Sequence, residues 1–152
     1  MKEQSPLKRV EELKAFSKDH HHGLLLGWKI RTGLKKNIGV KRISAYIEWF
    51  YQNHLLPHFE LEEKYVFPIL GRNDALIQRA YVEHREIHLT MAVGFNEETL
   101  IKFADLLGAH IRFEERVLFH EIQAVATKEQ LFIIHQIHHD IPFTEFRDEF
   151  WK

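Results

Sequence analysis

Cysteine is absent from the 152 residues, which removes disulfides, thiolate metal sites, iron–sulfur ligation and cysteine nucleophiles together. Any metal the chain holds must be bound through nitrogen and oxygen. Long apolar runs are absent as well: nowhere do about 18 consecutive apolar residues occur, as a membrane-spanning helix would need. The N-terminal MKEQSPLKRVEELK is charged and has no apolar signal-peptide core. A soluble, cytoplasmic protein is the expectation. An excess of one charge is also missing. With 21 Lys plus Arg against 22 Asp plus Glu the formal charge is −1, so nothing pulls the chain toward nucleic acid or an anionic membrane. No glycine-rich phosphate loop is present.

What is present is histidine, 12 residues of it, beside 12 phenylalanines in a chain that is 45% apolar. That apolar content and length suit one domain with a core of its own, here residues 1–152. Glycine and proline cut the chain into long segments with an apolar period of three and four residues, the period of a helix. A first segment opens at Ser5-Pro6, a cap followed by proline at the first helical position. It runs to Gly33 or Leu34 through Leu13, Phe16, Leu24 and Ile30. A second spans about Val40 to Gly71, with Pro57 expected to kink it. A third runs from Asn73-Asp74 to Gly94, and a fourth from Asn96 through Leu100, Phe103, Leu107, Ile111, Val117 and Val125 to about Ala126. Thr127-Lys128-Glu129-Gln130 reads as a capping box that starts a short fifth helix, followed by an aromatic tail. The prediction is an all-α antiparallel up-down-up-down four-helix bundle over about residues 5–126, with a C-terminal helix and tail at 127–152. No internal repeat is evident.

Residues four apart share a helix face, so two ligands at that spacing can reach one metal or the two ions of a pair. The second segment has His58 and Glu62, the third His84 and His88, the fourth His110 and Glu114, all in register with apolar stripes. In the first segment, His20 shares the stripe of Leu13 and Phe16, while His21 aligns with Leu24 and Trp28; either can be the ligand. A buried carboxylate without a partner is costly and buried imidazoles need partners, and bound metal supplies them. Five histidines and two carboxylates fit a dinuclear centre better than a single four-ligand zinc, and nitrogen and oxygen donors in that number suit iron, with manganese or zinc possible. Glu62 and Glu114 are the carboxylates able to bridge, and an open position is left for a small molecule.

The motifs DHHHGL, HFELEE, EHREIH and HIRFEE, in that order across about residues 10–120, resemble the signatures of the hemerythrin-like, or HHE cation-binding, family. The resemblance implies a bundle holding two non-haem iron ions bridged by oxygen and carboxylates. O2 binding, O2 or iron sensing and redox protection are its themes; another small diatomic as ligand, or redox turnover of peroxide or nitric oxide, are further expectations for such a centre. His58, Glu62, His84, His88 and His110 fall on the family's ligand positions. Glu114 is the fourth-helix carboxylate as in HHE domains, whereas true hemerythrins carry an aspartate one residue later, where this chain has Glu115. A bland role is expected elsewhere. His22 lies beside the site or at the surface, His54 beside the site or in packing, and His120, His135, His138 and His139 are surface or packing residues. Glu63 and Glu115 are solvated charges, and Phe59, Phe67, Phe113, Phe119 and Trp28 belong to the core. The ferritin-like arrangement needs Glu-x-x-His, which does not occur, and HREIH has Arg85 where a zincin has glutamate. Three uses of the centre remain open: small-molecule binding, a redox enzyme, or an iron-responsive module with the C-terminal helix and tail as partner surface.

Overall fold

The computed structural model describes residues 8–138 and 141–152, and among the described residues the chain is all-helical with no strand. The cap expected at Ser5-Pro6 lies outside the described residues, and the first helix begins later than that cap implies. A 3-10 turn at Glu11–Leu13 leads into α1 (Lys14–Lys35). Before it the backbone is extended at Val10. There Arg9 reaches across to the Glu115 carbonyl at 2.7 Å and to Gln123 Oε1 at 3.2 Å, contacts that a continuous helix would not offer.

The second rod is helical from Val40 to Ile69 but not uniform. It comprises α2 (Val40–Phe50), a π-helical turn at Tyr51–Leu55, α3 (Leu56–Leu61), a second π turn at Glu62–Val66 and a 3-10 turn at Phe67–Ile69. Pro57 has no N–H to offer the Asn53 carbonyl, and the wide turn just before it is where the helix absorbs that loss. The third rod is α4 (Ala75–Val93). Asp74 starts it by accepting from the Leu76 and Ile77 amides at 2.8 and 3.3 Å, and Gly94 stops it at φ 89°, ψ 179°, a conformation open only to glycine. The fourth rod runs through α5 (Glu97–Phe113), a π turn at Glu114–Leu118 and α6 (Phe119–Val125). Reciprocal capping by Asn96 and Thr99 fixes its start, and the same device at Thr127 and Gln130 starts α7 (Lys128–Ile137).

Two apolar clusters form the core. One contains Leu26, Ile30, Phe50, Phe59, Ile87, Leu107 and Ile111; the other contains Phe16, Val66, Ala80, Phe113, Leu118 and Phe119. On each rod the switch from one cluster to the other falls at the buried His or Glu, so a polar layer divides the core. The C-terminal tail closes one end. Phe150 and Trp151 are buried in the first cluster, and Phe150 fits where Gly33 has no side chain, since a Cβ there would lie 2.6 Å from its ring. Buried Lys29 ties the tail down through Tyr46 Oη at 2.8 Å and Glu145 Oε2 at 2.9 Å, its ammonium 4.2 Å from the Trp151 ring centre. The tail's last aromatic residues are therefore core, not an open partner surface. Three apolar residues read as inward are not: Trp28 is 54% exposed, and Leu24 and Val125 are exposed too. The face of α1 that meets α5 carries Phe16, His20, Gly23, Leu26, Gly27 and Ile30 instead. Among the described residues no helix is long and apolar enough to cross a membrane.

Candidate metal centre

Six side chains converge in the polar layer: His20 from α1, His58 from α3, Glu62 from the π turn that follows it, His84 from α4, His110 from α5 and Glu114 from the π turn after α5. All are buried. They fall into two overlapping sets, His20, His58, Glu62, Glu114 and Glu62, His84, His110, Glu114, and within each set the donor atoms lie within 4.8 Å of one another. The two carboxylates are shared, one oxygen to each side. Glu62 Oε2 is 3.2 Å from His58 Nε2 and 3.6 Å from His20 Nε2, while its Oε1 is 3.2 Å from His84 Nε2. Glu114 Oε1 is 2.9 Å from His20 Nε2, while its Oε2 is 3.2 Å from His110 Nε2 and 3.8 Å from His84 Nε2.

Most of these atoms are close without being bonded to one another, the exception being the His58 Nε2 and His20 Nε2 pair. All four carboxylate oxygens, with His84 Nε2 and His110 Nε2, are buried and make no hydrogen bond, and each such group left unsatisfied costs about 1–3 kcal/mol. His58 Nε2 and His20 Nε2 face each other at 3.1 Å. Two imidazole nitrogens and two carboxylate oxygens on either side form the donor set of a borderline divalent cation, and the residues fit a pair of such ions.

Each imidazole is held from behind by a carboxylate. His58 Nδ1 donates to Asp19 at 2.9 Å, His84 Nδ1 to Glu63 at 2.7 Å, His110 Nδ1 to Glu83 at 2.7 Å and His20 Nδ1 to Glu115 at 2.7 Å. A carboxylate only accepts, so Nδ1 carries a proton and Nε2 is the atom that faces inward, free to bind metal once its own proton is lost. The four bonds close a ring around the rods: α1 holds α3, the turn after α3 holds α4, α4 holds α5, and the turn after α5 holds α1. The sequence repeats accordingly. Asp19-His20 corresponds to Glu83-His84, and His58-x3-Glu62-Glu63 to His110-x3-Glu114-Glu115, a twofold pattern not evident from the sequence alone. Both shared carboxylates open π-helical turns, a distortion frequent at functional sites.

The electrostatics follow from this packing. Burial disfavours the charged forms of all four histidines, yet the carboxylates outweigh it. Glu114, Glu115 and Glu62 raise His20 well above the ordinary value, Glu62 and Asp19 raise His58 to about 9, and His84 and His110 are raised likewise. Burial and the like charge of Glu114 push Glu62 up, but His58 and His20 hold it below the usual range. Glu114 is buried too and is held well below that range by His110. Without metal the centre thus keeps protons on its histidines.

Of the residues anticipated as ligands, His20, His58, Glu62, His84, His110 and Glu114 are brought together; His21 and His88 are not. His21 is exposed on the outer face of α1. His88 lies one turn beyond His84, where Phe59 stacks on the His84 ring at 3.8 Å, and its Nδ1 meets the Tyr51 hydroxyl instead. Glu63 and Glu115 are not free solvated charges, since the π turns swing them onto His84 and His20. His138 is more than a surface residue: its Nε2 donates to Asp19 at 2.6 Å. His139 lies outside the described residues. His54 packs against Phe143 as anticipated, and His22, expected beside the site or at the surface, stacks on the same ring. Asp19 and Glu83 were legible only as acids directly preceding His20 and His84, a signal the four-residue spacing does not carry.

Comparison with curated proteins and with solved structures gives no match. The family of the hemerythrin HHE cation-binding domain does match, over residues 13–122, a span that contains all six converging residues and all four of the carboxylates behind them. The chain belongs to the hemerythrin HHE cation-binding domain family.

Proposed function

We propose that this chain is a di-iron protein that binds or senses O2 or a related small molecule, working as one unit built on an antiparallel up-down-up-down bundle. The observation that carries the metal reading is the sharing of Glu62 and Glu114, each with one oxygen toward His20 and another toward His84. The donor count on each side, two imidazoles and two carboxylate oxygens, favours iron, with manganese or zinc as alternatives. The alternation of the core supports the topology. α1 and α4 run from the second apolar cluster to the first, and the other two rods run back.

Bound ferrous ions would supply the electrons and the coordination position that O2 binding needs. The chain supplies the rest. Asp19, Glu63, Glu83 and Glu115 fix the imidazoles, so the donors need no reorganisation when metal enters. Phe16, Phe59, Phe67 and Phe119 pack within ring-contact distance of His58, His84 and His20 and keep water from the layer. A carrier, a sensor and an oxidase share such ligands and differ in access.

Elemental analysis of protein from iron-supplemented cells tests the reading. About two irons per chain are expected, lost in a His58→Ala, His110→Ala double variant that still folds. The reduced protein is expected to gain near-ultraviolet charge-transfer absorption on exposure to O2. Folded wild-type protein that takes up no metal, with thermal stability indifferent to added ferrous ion, would sink the proposal.

A further inference from the structure

A cavity of about 600 Å³ opens beside the centre. Its floor is His20, His58 and His110, and its inner sides are Leu55, Leu107 and Ile111. Nothing in a diatomic molecule requires that volume, which lies in the range of sites for organic ligands. The outer wall comes from His138, Phe143, Glu145 and their neighbours, beyond residue 122 where the family match ends. The cavity is thus closed by the matched domain on one side and by residues outside the matched span on the other.

The mouth is made of flat rings. Phe143 stacks on His22 at 4.1 Å with 14° between planes, lies 4.7 Å from His54, and meets Trp49 nearly edge-on at 6.0 Å. The charges that border the cavity are already taken. Asp19 is bonded to His58 and His138, and Glu145 to Lys29 and Tyr46, while Lys18 also has a partner. A charged ligand would lose its hydration and find no counter-ion. His54 differs: it lines the cavity, is half-buried and makes no hydrogen bond among the described residues. Burial lowers its pKa, so near neutral pH its ring offers one donor and one acceptor.

We propose that the cavity binds an uncharged phenol, the ring against Phe143 and Trp49 and the hydroxyl on His54. Binding itself does not need metal; that the phenol then faces the ions rests on the di-iron reading. Calorimetric titration of the metal-free protein with phenol, benzoate and benzylamine tests it. Phenol is expected to bind one per chain, with the two charged probes about tenfold weaker or worse. Phe143→Ala, at the edge of the first apolar cluster and checked for an unchanged helical spectrum, is expected to weaken phenol binding about three- to tenfold. Leu107→Trp, which fills the inner cavity, is expected to abolish it. His54→Phe is expected to weaken phenol binding while leaving toluene binding unchanged. No saturable phenol binding, equal binding of benzoate, or indifference to Phe143→Ala would overturn the proposal. A protein that binds phenol but no metal would overturn only the di-iron reading. If both stand, phenol added to the iron-loaded protein shifts its optical spectrum.

Discussion

A histidine four residues from another ligand says only that the two share a helix face; what lies opposite decides which of them works. His84 and His88 illustrate the difference, since Phe59 fills the level of the second while Tyr51 takes its Nδ1. His88→Ala is therefore expected to leave two metals per chain, and loss of one equivalent on elemental analysis would return His88 to the centre. The carboxylates behind the imidazoles carry the opposite expectation. Glu63→Gln and Glu115→Gln leave the inner donors untouched but weaken the orientation of His84 and His20, and partners of this kind are worth about 10–100-fold in metal affinity. Competition against a chelator measures that loss, and an unchanged affinity would make these contacts incidental. His58, Glu62, His110 and Glu114 were legible because their spacing coincides with apolar stripes. Periodicity favoured His20 with His21 as the alternative, and burial on the α5 side of α1 belongs to His20.

At the scale of the element, helix starts were the clearest signals. Asp74, Asn96 and Thr127 cap where their side-chain chemistry says they should, because capping is a local hydrogen bond that needs no tertiary partner. The π turns were not legible. Each inserts an extra residue into a helix whose composition is unremarkable; the first precedes Pro57, and the other two open at the buried glutamates 62 and 114 that meet neighbours across the layer. The late start of α1 was hidden for the same kind of reason, as Arg9 is drawn to the fourth rod from more than a hundred residues away. Glycine at 33 belongs to this scale too. The ring of Phe150 occupies its face, with Ile43 Cδ1 only 3.1 Å from where a Cβ would stand. Gly33→Ala is expected to cost about 1–3 kcal/mol through overpacking, read as a lower urea midpoint at unchanged slope with metal content preserved. An unchanged midpoint would mean that the tail is not seated there.

For the molecule as a whole, the buried charge layer ties stability and metal uptake to pH in opposite senses. Because His58 is raised to about 9 and His20, His84 and His110 are raised as well, the folded metal-free chain holds these protons more tightly than the unfolded chain. That contribution is full below the ordinary histidine value of about 6.5 and drains away as pH climbs toward 9. Metal must displace the same protons, so its affinity climbs over the same interval. Thermal melts of metal-free protein at pH 6 and pH 9, set beside chelator competition at both, check the pair of trends. Metal-free protein that grows more stable with rising pH would contradict the assignment of protons to the histidines.

The shared carboxylates and the one-sided cavity together have a consequence for spectroscopy. In the proposed di-iron state, two ions held by equal donor sets should be electronically near twins, giving one Mössbauer quadrupole doublet where a lopsided centre gives two. The cavity floor, however, carries both histidines of one side, His20 and His58, and only His110 of the other. An incoming molecule meets the twins unequally, so a probe that enters from the tail side should split the single doublet into two of equal area, only one of them displaced.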